Sequence, residues 1–186
     1  MANIASIDYR IDGEPKQLAE LYEVIETAKM LDSKAFDGYT VLQLLGVEGI
    51  DDMDLRFDIN DFDFEDDHIN LTCEGKWSEK ENFRHELEMV FPEINIFFYC
   101  EEPGCEIYMS NDVTHRYFYD NYIVDICDCG EEYFEHLEDA VRYVERNLEI
   151  TIESTSSSGV KRELEEYSET HEKYAYLRVI DYDSTF

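Results

Sequence analysis

Positive charge is what this chain has least of. It carries 15 Lys and Arg against 46 Asp and Glu, a formal net charge of −31 in 186 residues. A few net charges keep a domain soluble, and more of one sign makes the compact state repel itself. Such a surface repels phosphates, which excludes direct nucleic-acid binding, and it is repelled by anionic membranes as well. No apolar run approaches the roughly 20 residues of a membrane span. Met1 to Arg10 lacks the basic start and long apolar stretch of a signal peptide. The five cysteines are odd in number and scattered, which argues against a disulfide framework and makes the cytosol the expected compartment.

Catalytic and metal-binding signatures are missing too. There is no phosphate-binding glycine loop, no H-E-x-x-H and no nucleophile elbow, so no catalytic residue, cofactor or enzyme activity is assigned. Cys100 and Cys105 flank a turn, and Cys127 and Cys129 are two apart with His136 beyond. None forms a C-x-x-C pair, and small apolar core residues are the simpler reading. A calcium loop beginning at Asp61 fails as well. Its glycine position is Asp66 and its twelfth position is Thr72. No metal is assigned.

Core-forming material is plentiful. The chain is 44% hydrophobic and 14% aromatic, with 3 Pro and 8 Gly, which separates it from disordered acidic chains. It is long enough for one domain, or one domain with an appendage. The acidity therefore belongs to the surface of a folded protein, and the partner it suits is strongly basic. The commonest basic surfaces in a cell are those that hold nucleic acid. Adaptation to high salt is the alternative source of such a surface.

Alternation from Ala2 to Ile11 predicts a strand with Ala5, Ile7, Tyr9 and Ile11 inward. Pro15 opens a predicted helix to about Leu31, and Tyr39–Leu45 predicts a short second one. Met53 to Asn60 and His68 to Trp77 predict strands, followed by a helix from Glu79 to Val90 capped by Ser78. Ile94–Cys100, Glu106–Met109 and Arg116–Ile126 read as strands, the first two joined by a type II turn at Pro103-Gly104. A helix from Glu131 to about Leu148, a polar boundary at Ser154–Gly159, a charged helix from Val160 to Glu172 and a strand from Tyr174 to Tyr182 complete the chain. The expected fold is α+β, an antiparallel sheet with helices on one face, with residues 1–153 as the domain and 154–186 as a helix–strand extension packed on it.

The sharpest candidate site is the tract Asp51 to Asp67. Between Ala35 and Gly75 one basic residue, Arg56, faces twelve acidic ones. Alternate residues of an extended segment share a face about 6.6 Å apart. Asp61, Asp63 and Glu65 would then form a row of carboxylates with Phe62 and Phe64 behind. The bland alternative is a solvated, repelling loop. Asp51, Asp52, Asp54, Asp58, Asp61, Asp63, Glu65, Asp66 and Asp67 are the predicted partner-binding face, with Tyr117 and Tyr119 as exposed aromatic anchors from the later tyrosine-rich stretch.

Four short segments carry a family resemblance: Met1-Ala2-Asn3, Glu74-Gly75-Lys76-Trp77, Phe91-Pro92 and Glu101-Glu102-Pro103-Gly104. In these, and in their order, residues 1 to about 150 resemble the YubB-like ferredoxin-like family of phages, plasmids and other mobile elements. The chain departs from that family at Ile4-Ala5, where an aromatic and a Cys are usual, and at Ser78-Glu79-Lys80, where a proline-containing stretch is usual. The resemblance implies a ferredoxin-like fold and a mobile-element origin, and carries no catalytic residues. In character the chain also resembles acidic anti-defence proteins that mimic DNA. That implies an inhibitor of a CRISPR or restriction effector in the host cytosol, itself a possible homodimer. An accessory interaction domain, acidic only for solubility, is the competing expectation.

Overall fold

The structure is a computed structural model and describes residues 3–31 and 36–182. Two compact units divide the chain, Met1–Asp112 and Val113–Phe186. The polar stretch Ser154–Gly159, expected as the boundary, lies inside the second unit. There Ser156 Oγ accepts a hydrogen bond from the Gly159 amide at 3.2 Å and caps a helix.

The first unit runs β1 (Ile4–Gly13), α1 (Pro15–Leu31), α2 (Gly38–Leu44), β2 (Phe57–Glu65), β3 (His68–Lys76), α3 (Glu81–Val90), β4 (Ile94–Glu102) and β5 (Ile107–Ser110). Its strands lie in the order β2-β3-β1-β4-β5, each antiparallel to its neighbour. The alternation that predicted β1 acts as expected: Ala5, Ile7, Tyr9 and Ile11 are fully buried. They share one core with Ile69, Leu71 and Cys73 of β3 and Ile96, Phe98 and Cys100 of β4, covered by Leu18, Leu21 and Ile25 of α1 and Phe83 and Leu87 of α3. Asp37 caps α2 by accepting from the Thr40 amide at 2.8 Å. The expected strand start at Ala2 lies outside the described residues.

The second unit holds β6 (Tyr122–Ile126), β7 (Gly130–Phe134), α4 (Leu137–Leu148), α5 (Ser157–Thr170), β8 (Ala175–Val179) and a two-residue strand β9 (Asp181–Tyr182). Its sheet has the order β7-β6-β8, all antiparallel. Val124 and Ile126 pack with Ala140 and Val144 of α4 and with Val160 and Leu164 of α5.

Several predicted elements change. Glu131–Phe134 is a strand, because Asp128 and Gly130 take left-handed backbone angles (φ 75° and 82°) and turn the chain back onto β6. The helix α4 begins only at Leu137. The predicted strand Arg116–Ile126 shrinks to Tyr122–Ile126. Pro103-Gly104 forms a 3-10 turn, Pro103–Cys105, rather than a type II turn, with Glu106 left-handed (φ 56°). Ser78 does not cap α3. The helix starts two residues beyond Glu79, because the Glu79 and Lys80 side chains turn into the protein.

Candidate functional site: an acidic hairpin on the edge of the sheet

Strand β2 extends through the acidic tract, and a β-bulge decides which way the tract faces. The register pairs Phe57 with Gly75, Asp58 with Glu74 and Ile59 with Cys73, then jumps to Asp61 with Thr72. Asn60 is the extra residue. An extra residue reverses the alternation beyond it. Were Asn60 paired regularly instead, Phe62 and Phe64 would share the face of Asp58, and Asp61, Asp63 and Glu65 would point at the core. With the bulge, Phe62 lies opposite Leu71 and Phe64 opposite Ile69, both core residues. Phe62 packs on Tyr22 and Phe36, with ring centroids 5.5 and 5.6 Å apart, and Lys29 Nζ lies 4.7 Å over its ring.

Asp58, Asp61, Asp63 and Glu65 therefore stand together on the outward face, all exposed, on the last strand of the order β2-β3-β1-β4-β5. Their cross-strand neighbours are Glu74, Thr72, Asn70 and His68. Asn70 Nδ2 donates to Asp63 at 2.6 Å, and the Phe62 amide donates to Asp61 at 3.0 Å, which holds these carboxylates in place. On β1, Asp8 continues the acidic face and accepts from Thr72 Oγ1 at 2.9 Å. The turn at the tip is Asp66-Asp67, with Asp66 left-handed (φ 43°) and Asp67 beside the His68 ring at 3.2 Å.

The remaining predicted residues have other surroundings. Asp51 and Asp52 lie in the 3-10 turn Ile50–Asp52, where Tyr39 Oη donates to Asp51 at 2.8 Å. That hydrogen bond, with the negative charge behind it, pushes the Tyr39 phenol up. Asp54 is held by Arg56 Nε at 2.8 Å and Lys80 Nζ at 3.3 Å. The Arg56 hydrogen bond leads in bringing its carboxyl down to about 2. Asp54 is thus an anchor for two cations, one of them buried, rather than an open carboxylate. Tyr117 and Tyr119 belong to the second unit, in the irregular segment before β6. Tyr119 is 56% exposed and donates to the Arg116 carbonyl at 3.1 Å, and Arg116 lies 5.3 Å from the Tyr117 ring centroid.

A buried polar cluster that the sequence did not flag supports β3 and α3 from below. Tyr9 Oη donates to Glu79 at 3.2 Å, and Arg84 Nε approaches the same carboxylate at 3.4 Å. Burial pushes the Glu79 carboxyl up to about 7 against the opposing pull of Arg84 and Tyr9. Lys80 Nζ donates to the Lys76 carbonyl at 2.6 Å as well as pairing with Asp54. The signal was there. In a chain so poor in cations, Lys80 and Arg84 sit four apart and interleave with the apolar Phe83 and Leu87.

Burial also pushes the Cys100 thiol up to about 12, as expected of a core residue, whereas Cys105 and Cys129 are exposed and Cys127 is half-buried, so those three do not take the expected place in the core. Among the described residues, no three His, Cys, Asp or Glu side chains gather into a group that would hold a metal ion. No described helix is long and apolar enough to cross a membrane. Compared with models of protein families, with curated proteins and with solved structures, the chain shows no match.

Proposed function

We propose that this protein is an acidic inhibitor carried by a mobile element, which occupies the nucleic-acid-binding surface of a host defence nuclease complex, of the CRISPR or restriction kind, as a DNA mimic. One observation carries the reading: the bulge at Asn60 turns a regular row of carboxylates outward on an edge strand. Alternate strand residues recur about every 6.6 Å. That is close to two phosphate steps along one strand of a duplex, about 3.4 Å each. The net charge of −31 steers the protein toward a basic channel. Binding is stoichiometric in this reading, with no catalytic residue and no cofactor, and it takes place in the host cytosol.

The first unit reads as ferredoxin-like. Its order β-α-β-β-α-β with α2 inserted, and its antiparallel sheet order β2-β3-β1-β4, support that assignment and the resemblance to the mobile-element family.

A second reading has an observation in its favour. Acidity is spread over both units, with 28 acidic against 8 basic residues in the first and 18 against 7 in the second. Even charge suits an accessory interaction domain whose acidity only keeps it soluble. A tagged pull-down from host lysate, eluted along a salt gradient, separates the two. The inhibitor reading expects a nucleic-acid enzyme released by salt, and lost when Asp58, Asp61, Asp63 and Glu65 are all changed to Lys. Capture that ignores this reversal sinks the site assignment, and an empty pull-down favours the accessory domain.

A further inference from the structure

Where β3 ends, the polarity of the chain is inverted. Trp77, the only tryptophan, stands 52% exposed, while the next two charged residues turn inward, the Glu79 side chain to 6% and the Lys80 side chain to 2% exposed. The backbone at Trp77 is left-handed (φ 77°), and the Ser78 amide donates to the Lys76 carbonyl at 3.0 Å across it. A hydrogen bond spanning three residues around a central residue of positive φ is the rare, strained form of that turn. Bulky side chains seldom take this region, and such a conformation persists only where its surroundings over-determine it. The Lys76 carbonyl also accepts from Lys80 Nζ at 2.6 Å, and Asp54 holds that ammonium at 3.3 Å. The Lys76 amide donates to the Arg56 carbonyl and the Trp77 amide to the Asn3 carbonyl, both at 3.3 Å. The turn is thus fixed from both neighbouring strands and from below. Among the described residues, the indole stacks on no ring or cation, and its Nε1 has no hydrogen-bond partner. Ile4, the cross-strand partner of Lys76, adds a second exposed apolar side chain one position away.

A buried charge and a strained backbone that together hold a tryptophan outward mark a presented side chain rather than a leftover of packing. Tryptophan is foremost among the residues that carry the binding energy of protein interfaces. The charge of the chain decides what it meets. At −31 the surface repels nucleic acid and selects a basic partner. We propose that Trp77 is the aromatic anchor of the interface with that partner, its indole face taking the guanidinium of an arginine on the basic surface, with Ile4 at the rim. Indole offers the strongest face for a cation. A planar guanidinium stacks on it, whereas an ammonium is a compact and strongly hydrated point charge. The inference rests on the reading of the chain as a ligand for a basic surface, and it gives that ligand a point of attachment independent of the carboxylate row.

Because Trp77 is the only tryptophan, indole fluorescence of the full-length protein reports this site alone. The test titrates the protein with blocked nona-arginine and nona-lysine peptides, with affinities read by calorimetry. Both should bind through charge, and the arginine peptide alone should shift the Trp77 emission, saturably. Trp77→Ala should weaken the arginine peptide about threefold or more and the lysine peptide less than about twofold, while Trp77→Phe keeps most of the preference. Removing the indole also removes its packing, so a second comparison separates binding from folding. Trp77→Gly loses the same ring as Trp77→Ala but suits the left-handed backbone. It should unfold at a higher urea concentration than Trp77→Ala by circular dichroism, and the two should bind the arginine peptide equally. Emission that stays constant at saturation with the arginine peptide, equal losses for the two peptides, or affinity that follows stability instead of the ring would overturn the proposal. A captured partner that competes with DNA yet binds Trp77→Ala as tightly as wild type overturns the anchor alone and leaves the inhibitor reading standing.

Discussion

Deleting Asn60 is the sharpest test of the bulge, because an extra residue is one the ladder can do without. With it removed, Asp61 follows Ile59 directly, and Phe57 to Ile59 and Asp61 to Glu65 all keep their pairing with β3 as one regular strand. The deletion should therefore cost less than about 1 kcal/mol, as changes at exposed positions usually do. Were Asn60 an in-register residue instead, its removal would turn one half of the strand over. If the first half yielded, Phe57 and Ile59 would leave the core, where they are 3% and 4% exposed. Losing the burial of two such side chains costs roughly 3–6 kcal/mol. If the second half yielded, Phe62 and Phe64 would swing outward and three carboxylates would turn toward Tyr22 and Phe36. Phe64 is already 40% exposed, so its lost burial counts for less, but the inward charge adds a desolvation cost. Either route would lower stability by at least about 2 kcal/mol. Urea unfolding followed by fluorescence suits the comparison. Trp77 is the only tryptophan in the chain and lies in the first unit, one residue beyond β3. A deletion variant destabilised by more than about 2 kcal/mol would refute the claim that Asn60 is the extra residue that fixes the face.

Other predictions follow from the buried polar groups. Asp54→Asn removes the carboxylate facing Lys80, whose side chain is 2% exposed, and should destabilise the protein by about 1–3 kcal/mol in urea unfolding. An unchanged midpoint would show that the Lys76 carbonyl alone satisfies that ammonium. Glu79 holds its proton up to about pH 7 in the folded protein, against an ordinary value of 4.5. The folded state therefore binds more protons between these limits, and stability falls as pH rises through that window, by about 3 kcal/mol from this group. Glu79→Gln keeps an acceptor for Tyr9 and Arg84 but removes the titration. Its stability relative to wild type should rise by that amount between pH 4.5 and pH 8, and parallel pH curves for the two proteins would contradict this assignment. General self-repulsion of the net charge acts on both proteins alike, so the difference isolates Glu79.

Much of the first unit was legible because its strands are buried on one face, and such strands write a period of two. In β1 and β3 the inward residues are apolar without a break. The bulge interrupts that period once, and its trace is the adjacent polar pair Asn60-Asp61 between Ile59 and Phe62. The rows before and after it fit two different phases, which is why the second strand was expected to stop at Asn60. The strand β7 was hidden for a different reason. Phe134, Leu137, Val141 and Val144 recur at helical spacing, so the helix was extended backward over Glu131–Phe134. The turn at Asp128-Cys129-Gly130 was the local signal against it. The division after Asp112 has only a short local signal, the polar run Ser110-Asn111-Asp112, which reads as an ordinary turn between strands. Long-range pairing sets it, and periodicity does not report that.

The site was legible in its residue types rather than its geometry. Carboxylate counts locate the tract Asp51 to Asp67, but they do not distinguish Asp54, tied to two cations, from Asp58, which has no partner among the described residues. That Glu74 stands beside Asp58 on the outward face was not legible, because the two lie sixteen positions apart in the chain.

The central claim is that the outward row of carboxylates stands in for phosphates. The direct measurement is competition. The captured basic partner is titrated with duplex DNA in the presence of wild-type protein, or of the variant carrying Lys at positions 58, 61, 63 and 65. The account predicts mutually exclusive binding of DNA and wild-type protein, weakening as salt rises, with no competition from the variant. Simultaneous binding of DNA and wild-type protein, or equal competition by the variant, would contradict it.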